Sequence, residues 1–447
     1  MTFPFRMSLF AMSVVLCASL LPVAIEAQQV PRKAPQPELP SWHTGPWPPW
    51  LSEPTEDPDV RASIGTQLAS VQLESRDIVF RGGGGGMGRA IVPAGENGFF
   101  VVGETPRSGE HQVWIMRFDS NLKLLWEKFY EGERRKVKAR ATTSGGVVIV
   151  VPRRARVLML DSQGARGWEK TLGGSAEGVA VLPDSVVVIG GNQTESWIRR
   201  LDNAAGNEIW AITVGPQAGS TLAGYRLVPS AIATLDDGTI IVAGLAVNQP
   251  RNHFPIWLMK MDAAGRTVMG PTVIQSHFEP VMPTDLVALS DGDLALTGFA
   301  RFPGQPPGGA PSGYIRAFAW VARVSAQGVV RWQDHWGPDK DFSSGVKAIS
   351  LPDGQFMTAL VSETSGTHLR RHGAFATPIA ATQRGGPPAG FSGQHELGVT
   401  LDLLQHKDAG RNRLIGVGFV AGSGGSVLEP RPNLWLFSLP ANELGIE

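Results

Sequence analysis

Two histidines four residues apart form the pair in this sequence that most resembles a metal-binding motif. His368 and His372 have the spacing with which histidines on one face of a helix chelate zinc. On a strand or loop the same spacing separates them by about 13 Å, at roughly 3.3 Å per residue. Arg370 and Arg371 lie between them and would repel a cation. The sequence therefore predicts no metal site, and no motif in it calls for a cofactor.

A glycine-rich run, Gly82–Gly86 followed by Met87 and Gly88, satisfies the loose pattern of a phosphate-binding loop. Such a loop needs a following helix whose N-terminus faces the phosphate. Ala90–Val92 instead reads as a strand, so we interpret the run as a connection between structural units. A Ser-His-Asp or two-carboxylate active site would converge in space rather than in sequence, and stays open as an alternative.

Polar residues of both charge signs fall in segments that we expect to connect repeated units around a central channel. Mixed signs suit a polar ligand or a protein partner, and do not suit bulk phosphate. If the protein were an enzyme acting on a glycoside or another small polar substrate, His277, Glu279, His335 and Asp339 would be the first residues to test. The full predicted ligand-binding set is Arg81, Arg89, Glu131, Arg134, His277, Glu279, His335 and Asp339.

The elements that would position these residues repeat from about residue 70 onward. A tight turn before an apolar strand is typical of a β-hairpin, because glycine accepts the positive φ of the turn. An alternating strand, an acidic turn and a tryptophan trail most copies, so each unit holds four strands, as a propeller blade does. The hairpin turns are Asn97-Gly98, Gly145-Gly146, Asp184-Ser185, Asp237-Gly238, Asp291-Gly292, Asp353-Gly354 and Ala409-Gly410.

Closure of the ring follows from the two ends of the repeat region. The last unit stops after its third strand, and an extra strand at Val71–Phe80 precedes the first unit. Asp77–Phe80 aligns with the fourth strands of other units, so it can complete the last blade and remove an open edge. We predict an all-β fold: a seven-bladed β-propeller of four-stranded antiparallel blades over residues 70–447, closed by an N-terminal strand that completes the last blade.

The repeat itself suggests a family. The segment Leu201-Asp202-Asn203-Ala204-Ala205-Gly206-Asn207-Glu208-Ile209-Trp210 resembles the bacterial quinoprotein-type propeller superfamily, whose repeats share an aspartate, a glycine and a tryptophan at this spacing. The resemblance covers about residues 71–447 and implies the architecture. Some members are dehydrogenases that use pyrroloquinoline quinone and a metal ion. Others are non-enzymatic scaffolds, including a lipoprotein that helps assemble outer-membrane proteins.

The dehydrogenases of that superfamily usually have one blade more and often a vicinal cysteine pair against the quinone. This chain has a single cysteine, Cys17, which lies in its N-terminal apolar segment. We therefore carry over the architecture and not the cofactor.

The N-terminus reads as a targeting segment. Arg6 precedes an apolar stretch from Ser8 to Ala24, and Ala27 is a small residue suited to cleavage. We predict a signal peptide over residues 1–27, with a retained membrane anchor as the alternative. Residues 28–69 are rich in proline and tryptophan, and we predict an extended linker there. Trp47-Pro48-Pro49-Trp50 within it is either a partner-docking motif or a tail that lies against the propeller.

Charge and loop lengths bound the function. The 40 basic and 40 acidic residues cancel, which argues against a nucleic-acid partner. Long loops between second and third strands, at Leu245–Pro255, Phe299–Pro311 and Val420–Pro432, belong to blades 4, 5 and 7 and share one face. We predict a periplasmic or secreted, monomeric, non-enzymatic scaffold with no transmembrane span after cleavage. It would use that face to bind an envelope or extracellular protein, or a polar small molecule or glycan.

Overall fold

The computed structural model consists of strands joined by turns, including a short 3₁₀ turn at Pro352–Gly354. No helix in this described part is long and apolar enough to cross a membrane. The described residues are 76–80, 86–95, 98–107, 110–132, 137–152, 155–216, 219–248, 254–277, 281–300, 317–337, 343–362, 366–374, 380–384, 398–408, 411–421, 432–441 and 446.

Seven sheets of four antiparallel strands make up the structure, and each is one blade. The first strand of each blade is innermost and packs against the first strands of both neighbouring blades, so the ring is closed. The strands of the first three blades are β2 (Met87–Pro93), β3 (Phe99–Arg107), β4 (Glu110–Phe118) and β5 (Leu124–Glu131); β6 (Lys138–Ala141), β7 (Val147–Val151), β8 (Arg156–Leu160) and β9 (Arg166–Thr171); and β10 (Ser175–Leu182), β11 (Ser185–Gly191), β12 (Ser196–Asp202) and β13 (Glu208–Val214).

The remaining four blades have the same order. Blade 7 takes its outermost strand from the N-terminus: β1 (Arg76–Phe80) pairs antiparallel with β28, which confirms the predicted closure. The strands are β14 (Arg226–Thr234), β15 (Ile240–Val247), β16 (Ile256–Met261) and β17 (Thr267–Ile274); β18 (Val281–Ala288), β19 (Leu294–Ala300), β20 (Phe318–Val324) and β21 (Val330–Trp336); β22 (Ser343–Ser350), β23 (Phe356–Ser362), β24 (Gly366–His372) and β25 (Ala380–Arg384); and β26 (Gly398–Asp408), β27 (Arg411–Ala421) and β28 (Pro432–Pro440).

The hydrophobic core lies in the seams between blades. One cluster joins Val102 and Ile115 of blade 1 to Ile149 and Leu158 of blade 2, and similar clusters fill other seams. Both faces of each blade are therefore covered by neighbours. This explains why second strands such as Val147–Val151 are apolar at every position instead of alternating.

The aspartate, glycine and tryptophan of the repeat build the joint between neighbouring blades. In the turn between the third and fourth strands, Asp161 Oδ1 accepts hydrogen bonds from the backbone N–H groups of Gln163 and Ala165, both at 2.8 Å. Gly164 in that turn has φ +70°, and a Cβ there would lie 2.5 Å from the ring of Trp126 in the preceding blade. The glycine thus provides both the turn conformation and the space for the tryptophan.

A second glycine marks the inner half of the blade. It lies on the second strand, opposite a tryptophan of the third strand, in five blades. In blades 1, 3, 4 and 5 a Cβ on this glycine would run into the backbone of the innermost strand, and on Gly190 and Gly244 it would also meet the tryptophan ring. The pairs are Gly103–Trp114, Gly190–Trp197, Gly244–Trp257, Gly298–Trp320 and Gly418–Trp435.

The antiparallel order divides the connections between two faces. Turns joining first to second and third to fourth strands lie on one face, which we call the turn face. Connections joining second to third strands, and one blade to the next, lie on the opposite face, which we call the loop face.

Candidate functional site

The channel wall carries an irregularity at the same level in blade after blade. In blades 1 and 3–7 the innermost strand has a β-bulge opposite the glycine position of the second strand. Bulges commonly re-aim side chains next to functional sites. The bulged residues are Arg89, Glu177, Ser230, Thr284, Val346 and Leu401.

The residue after the bulge is charged in several blades, and these side chains meet in the channel. Lys347 Nζ of blade 6 lies 3.3 Å from Asp285 Oδ2 of blade 5 and 3.3 Å from Asp402 Oδ1 of blade 7. Arg140 of blade 2 reaches across the channel, and its Nη2 lies 3.6 Å from Asp285 Oδ1. Together with Lys138 these residues form what we call the channel cluster.

Both carboxylates of the channel cluster also link neighbouring blades. Asp285 accepts a hydrogen bond from the backbone N–H of Ala348 in blade 6 at 3.1 Å. Burial by itself raises the pKa of the Asp285 carboxyl, but Lys347, Arg140, Lys138 and the Ala348 N–H favour the ionised form, and the net pKa is lowered. The Asp285 carboxylate is therefore ionised at neutral pH and is held by a neighbouring blade.

Arg89, one of the predicted ligand-binding residues, forms a buried ion pair at the bulge of blade 1. Its Nε donates to Glu104 Oε1 at 2.6 Å, and its Nη2 donates to the same oxygen. The Arg89 and Glu104 side chains are only 10% and 4% exposed. Glu104 Oε2 is buried with no hydrogen-bond partner. A donor from a ligand would therefore have to reach Glu104 Oε2 to form a hydrogen bond with this ion pair.

Glu131 lies at the end of β5, the outermost strand of blade 1, with its side chain 81% exposed. Its Oε2 is 3.8 Å from Arg156 Nη1 of blade 2. Three strand spacings separate the outermost strand from the innermost, which places Glu131 roughly 14 Å from the strand that carries Arg89. The structure therefore does not bring these two predicted residues into one site.

His277 lies beside β21, the strand that contains His335. The backbone N–H of His277, an exposed residue after β17, lies 3.4 Å from Oε1 of Gln333. Gln333 is two residues before His335 on β21. The His335 ring is edge-on to Phe318, with centroids 6.0 Å apart. Both histidines thus belong to the seam between blades 4 and 5, away from the channel cluster.

The other predicted site residues, Arg81, Arg134, Glu279 and Asp339, lie outside the described residues. The predicted signal peptide and linker lie outside them too, as do most residues of the three long loops. Ligand binding by the predicted set stays a prediction.

The chain shows several candidate residues that the sequence analysis did not single out, namely Glu104, Lys138, Arg140, Asp285, Lys347 and Asp402. A signal was present for Glu104 and Asp285, because each is a charged residue within a mostly apolar strand, which is unusual. Within the part of the chain that the structure describes, no three His, Cys, Asp or Glu side chains are grouped as metal ligands.

No protein-family profile matches the chain, and no curated protein is significantly similar to it. Solved structures with a similar fold include BamB from Moraxella catarrhalis, 13% identical, covering 83% of this chain and 99% of that chain with a TM-score of 0.42. Virginiamycin B lyase from Staphylococcus aureus, in a catalytically inactive form with quinupristin, is 10% identical. The match covers 82% of this chain and 100% of that chain, with a TM-score of 0.51. U3-55K is 11% identical, and the match covers 81% of this chain and 98% of that chain, with a TM-score of 0.52.

At these identities the similarity shows the β-propeller fold alone. Of the expected resemblance to quinoprotein-type propellers, the comparisons bear out the propeller architecture only. Propellers host unrelated functions, so function has to be argued from the sites of this chain.

Proposed function

We propose that this protein is an exported β-propeller that binds a protein or a polar ligand through its loop face, as a scaffold and not as an enzyme. The observation that carries the proposal is the difference in connection length between the two faces. On the loop face, residues 248–255, 301–317 and 422–431 join second to third strands in blades 4, 5 and 7. On the turn face, the corresponding hairpin of blade 3 has only residues 183–184 between its strands.

The ends of these loops are fixed by the sheets, which supports a binding role. Ala246 N–H donates to Pro255 O at 2.8 Å, and Ala300 pairs with Phe318 across the ends of the blade 5 loop. Long loops on a rigid scaffold are the usual carriers of binding function.

The contacts within the channel cluster also favour binding of a ligand or partner on the loop face over binding in the channel. Arg140 spans the channel from blade 2 to blade 5, and Lys347 of blade 6 bridges blades 5 and 7. Because each carboxylate already holds a backbone N–H group and the lysine, the cluster has a structural explanation that needs no substrate. Export is proposed from the apolar segment and Ala27 at the N-terminus.

Affinity capture from the native envelope fraction, followed by mass spectrometry, tests the proposal. The variant replaces residues 301–317 with a short Gly-Ser linker, and the control inserts the same linker at residues 183–184 of the turn face. We expect a saturable partner that is lost in the loop variant and kept in the control. Retention of the partner after all three long loops are shortened would contradict the proposal.

A further inference from the structure

The glycine–tryptophan pairing of the repeat is absent from two blades: blade 2 pairs Val151 with Arg156 at this position, and blade 6 carries the other departure, beside its seam with blade 5. Where five blades place a glycine opposite a tryptophan, blade 6 places Leu360 opposite His368. Local violations of an otherwise consistent pattern are where functional sites are expected.

The histidine packs against two other side chains, and we call His368, Arg370 and Trp336 the seam cluster. The ring centroids of His368 and Trp336 are 4.2 Å apart. Arg370 Cζ lies 5.3 Å from the centroid of the Trp336 ring. All three residues are half-buried, so solvent reaches them. Trp336 ends β21 and His368 is near the start of β24, so the cluster lies toward the loop face.

The electrostatics of the seam cluster favour an anion. Burial lowers the pKa of Arg370, and Asp334 on β21 partly opposes this effect. Burial, and then the charge of Arg370, lower the pKa of His368 to about 4. The imidazole is therefore neutral at pH 7 and adds no positive charge that would repel the guanidinium beside it. The described charged groups that act on the cluster are thus Arg370 from blade 6 and Asp334 from blade 5.

We propose that the seam cluster binds an anionic group, a carboxylate or a phosphate, on the ligand or partner that docks on the loop face. A planar guanidinium matches both groups through paired hydrogen bonds. Partial burial strengthens the attraction relative to a fully exposed arginine. Trp336 holds the guanidinium from one side and limits the directions in which it can point. The inference takes its location on the loop face from the proposed function, but its test needs no partner protein.

The experiment uses the full chain and two probes, inorganic phosphate and acetate, titrated at constant ionic strength against chloride. Nuclear magnetic resonance follows the His368 imidazole and the Trp336 indole N–H. We expect saturable shifts at both residues and a rise in the pKa of His368 when the anion is bound, since a nearby negative charge favours imidazolium. Saturation with acetate alone would identify a carboxylate ligand, and saturation with phosphate alone would identify a phosphate ligand.

Two arginines on one strand provide a matched pair of variants. Arg370→Gln is expected to weaken binding at least about tenfold, the effect of losing a charged hydrogen-bond donor. Arg371→Gln removes the same charge, but Arg371 Nε donates to Gln355 Oε1 at 2.7 Å outside the cluster, so binding should be unchanged. Arg370→Lys keeps the charge without the planar fork, and we expect intermediate binding.

The inference is overturned if the unmodified protein shows no saturable shift, in which case Arg370 only packs on Trp336. It is also overturned if Arg371→Gln weakens binding as much as Arg370→Gln does. The unmodified protein decides the first point even where a variant fails to fold. If the protein captures a partner but binds neither anion, this inference alone is overturned. If it binds an anion but captures no partner, the result counts only against the proposed scaffold function.

Discussion

Asp402 in the last blade accepts a hydrogen bond from the backbone N–H of Ile91 in the first blade, with 2.9 Å between Oδ2 and N. The bond crosses the seam at which the ring closes. Asp402 Oδ1 lies 3.3 Å from Lys347, which is also 3.3 Å from Asp285. Closure is thus supported in the channel as well as at the perimeter, where β1 pairs with β28.

The closing carboxylate should matter for stability. Asp402→Ala leaves Lys347 with one carboxylate fewer and removes the acceptor of the Ile91 N–H. We expect a loss of about 3 kcal/mol in the free energy of unfolding, because breaking a buried pair leaves a charge uncompensated. Urea denaturation measures this loss. Asp236, which is exposed, gives the control Asp236→Ala, and equal effects of the two substitutions would contradict the role assigned to Asp402.

The joint between Gly164 and Trp126 can be separated from the effect of backbone conformation. Gly164→Ala places a Cβ 2.5 Å from the Trp126 ring, whereas a Cβ on Gly173 meets nothing within 4 Å. Both glycines have positive φ, +70° and +81°, so both alanine variants carry a conformational cost of roughly 1–2 kcal/mol. We expect Gly164→Ala to lose about 1–3 kcal/mol more than Gly173→Ala in denaturant unfolding. A smaller loss at Gly164 than at Gly173 would show that the tryptophan does not need this space.

Acid should weaken the channel cluster in a defined direction. The pKa of Asp285 in the folded protein lies below the ordinary value of 3.8. Ionised Asp285 therefore stabilises the fold at pH values above 3.8, and this contribution is lost as the pH falls through the folded-state pKa. The difference in unfolding free energy between the parent and Asp285→Asn should shrink as the pH is lowered through this range. A difference that grows on acidification would contradict the assigned direction.

The imidazole of His368 should titrate far below its ordinary range. Its pKa is lowered from 6.5 to about 4, so the unfolded chain binds a proton before the folded protein does. Stability should accordingly fall as the pH drops from 6.5 toward about 4, in the part due to this histidine. Arg370→Gln should raise the pKa of His368 only in part, because burial remains as the larger cause. A titration of His368 near 6.5 in the parent protein would contradict the burial seen in the seam.

The fold could be predicted from the sequence because the signals for it are local. Asp-Gly turns, the spacing from Asp202 to Trp210 and the extra strand before Met87 each specify a strand, a turn or a register within a few residues. The predicted blade count and the closure by β1 are both confirmed. Blade 6 forms its four strands although Leu360 and His368 stand where five blades have the glycine and the tryptophan.

The residues that form the sites were harder to predict from the sequence, because they depend on contacts between distant parts of the chain. Asp285 and Arg140 lie on opposite sides of the channel, and no sequence spacing relates them. Arg89 was predicted to face a ligand, but its partner Glu104 comes from the adjacent strand and becomes apparent only with the strand register and the bulge. Pattern analysis identifies loops that can bind, and it does not identify which side chains meet.

The central claim is that the loop face is the binding surface, and hydrogen–deuterium exchange of the propeller with and without its captured partner tests it most directly. The account predicts slower exchange at the long loop-face connections 248–255, 301–317 and 422–431, with the turn-face segments 142–146 and 203–207 unchanged. Slower exchange confined to those turn-face segments would contradict it.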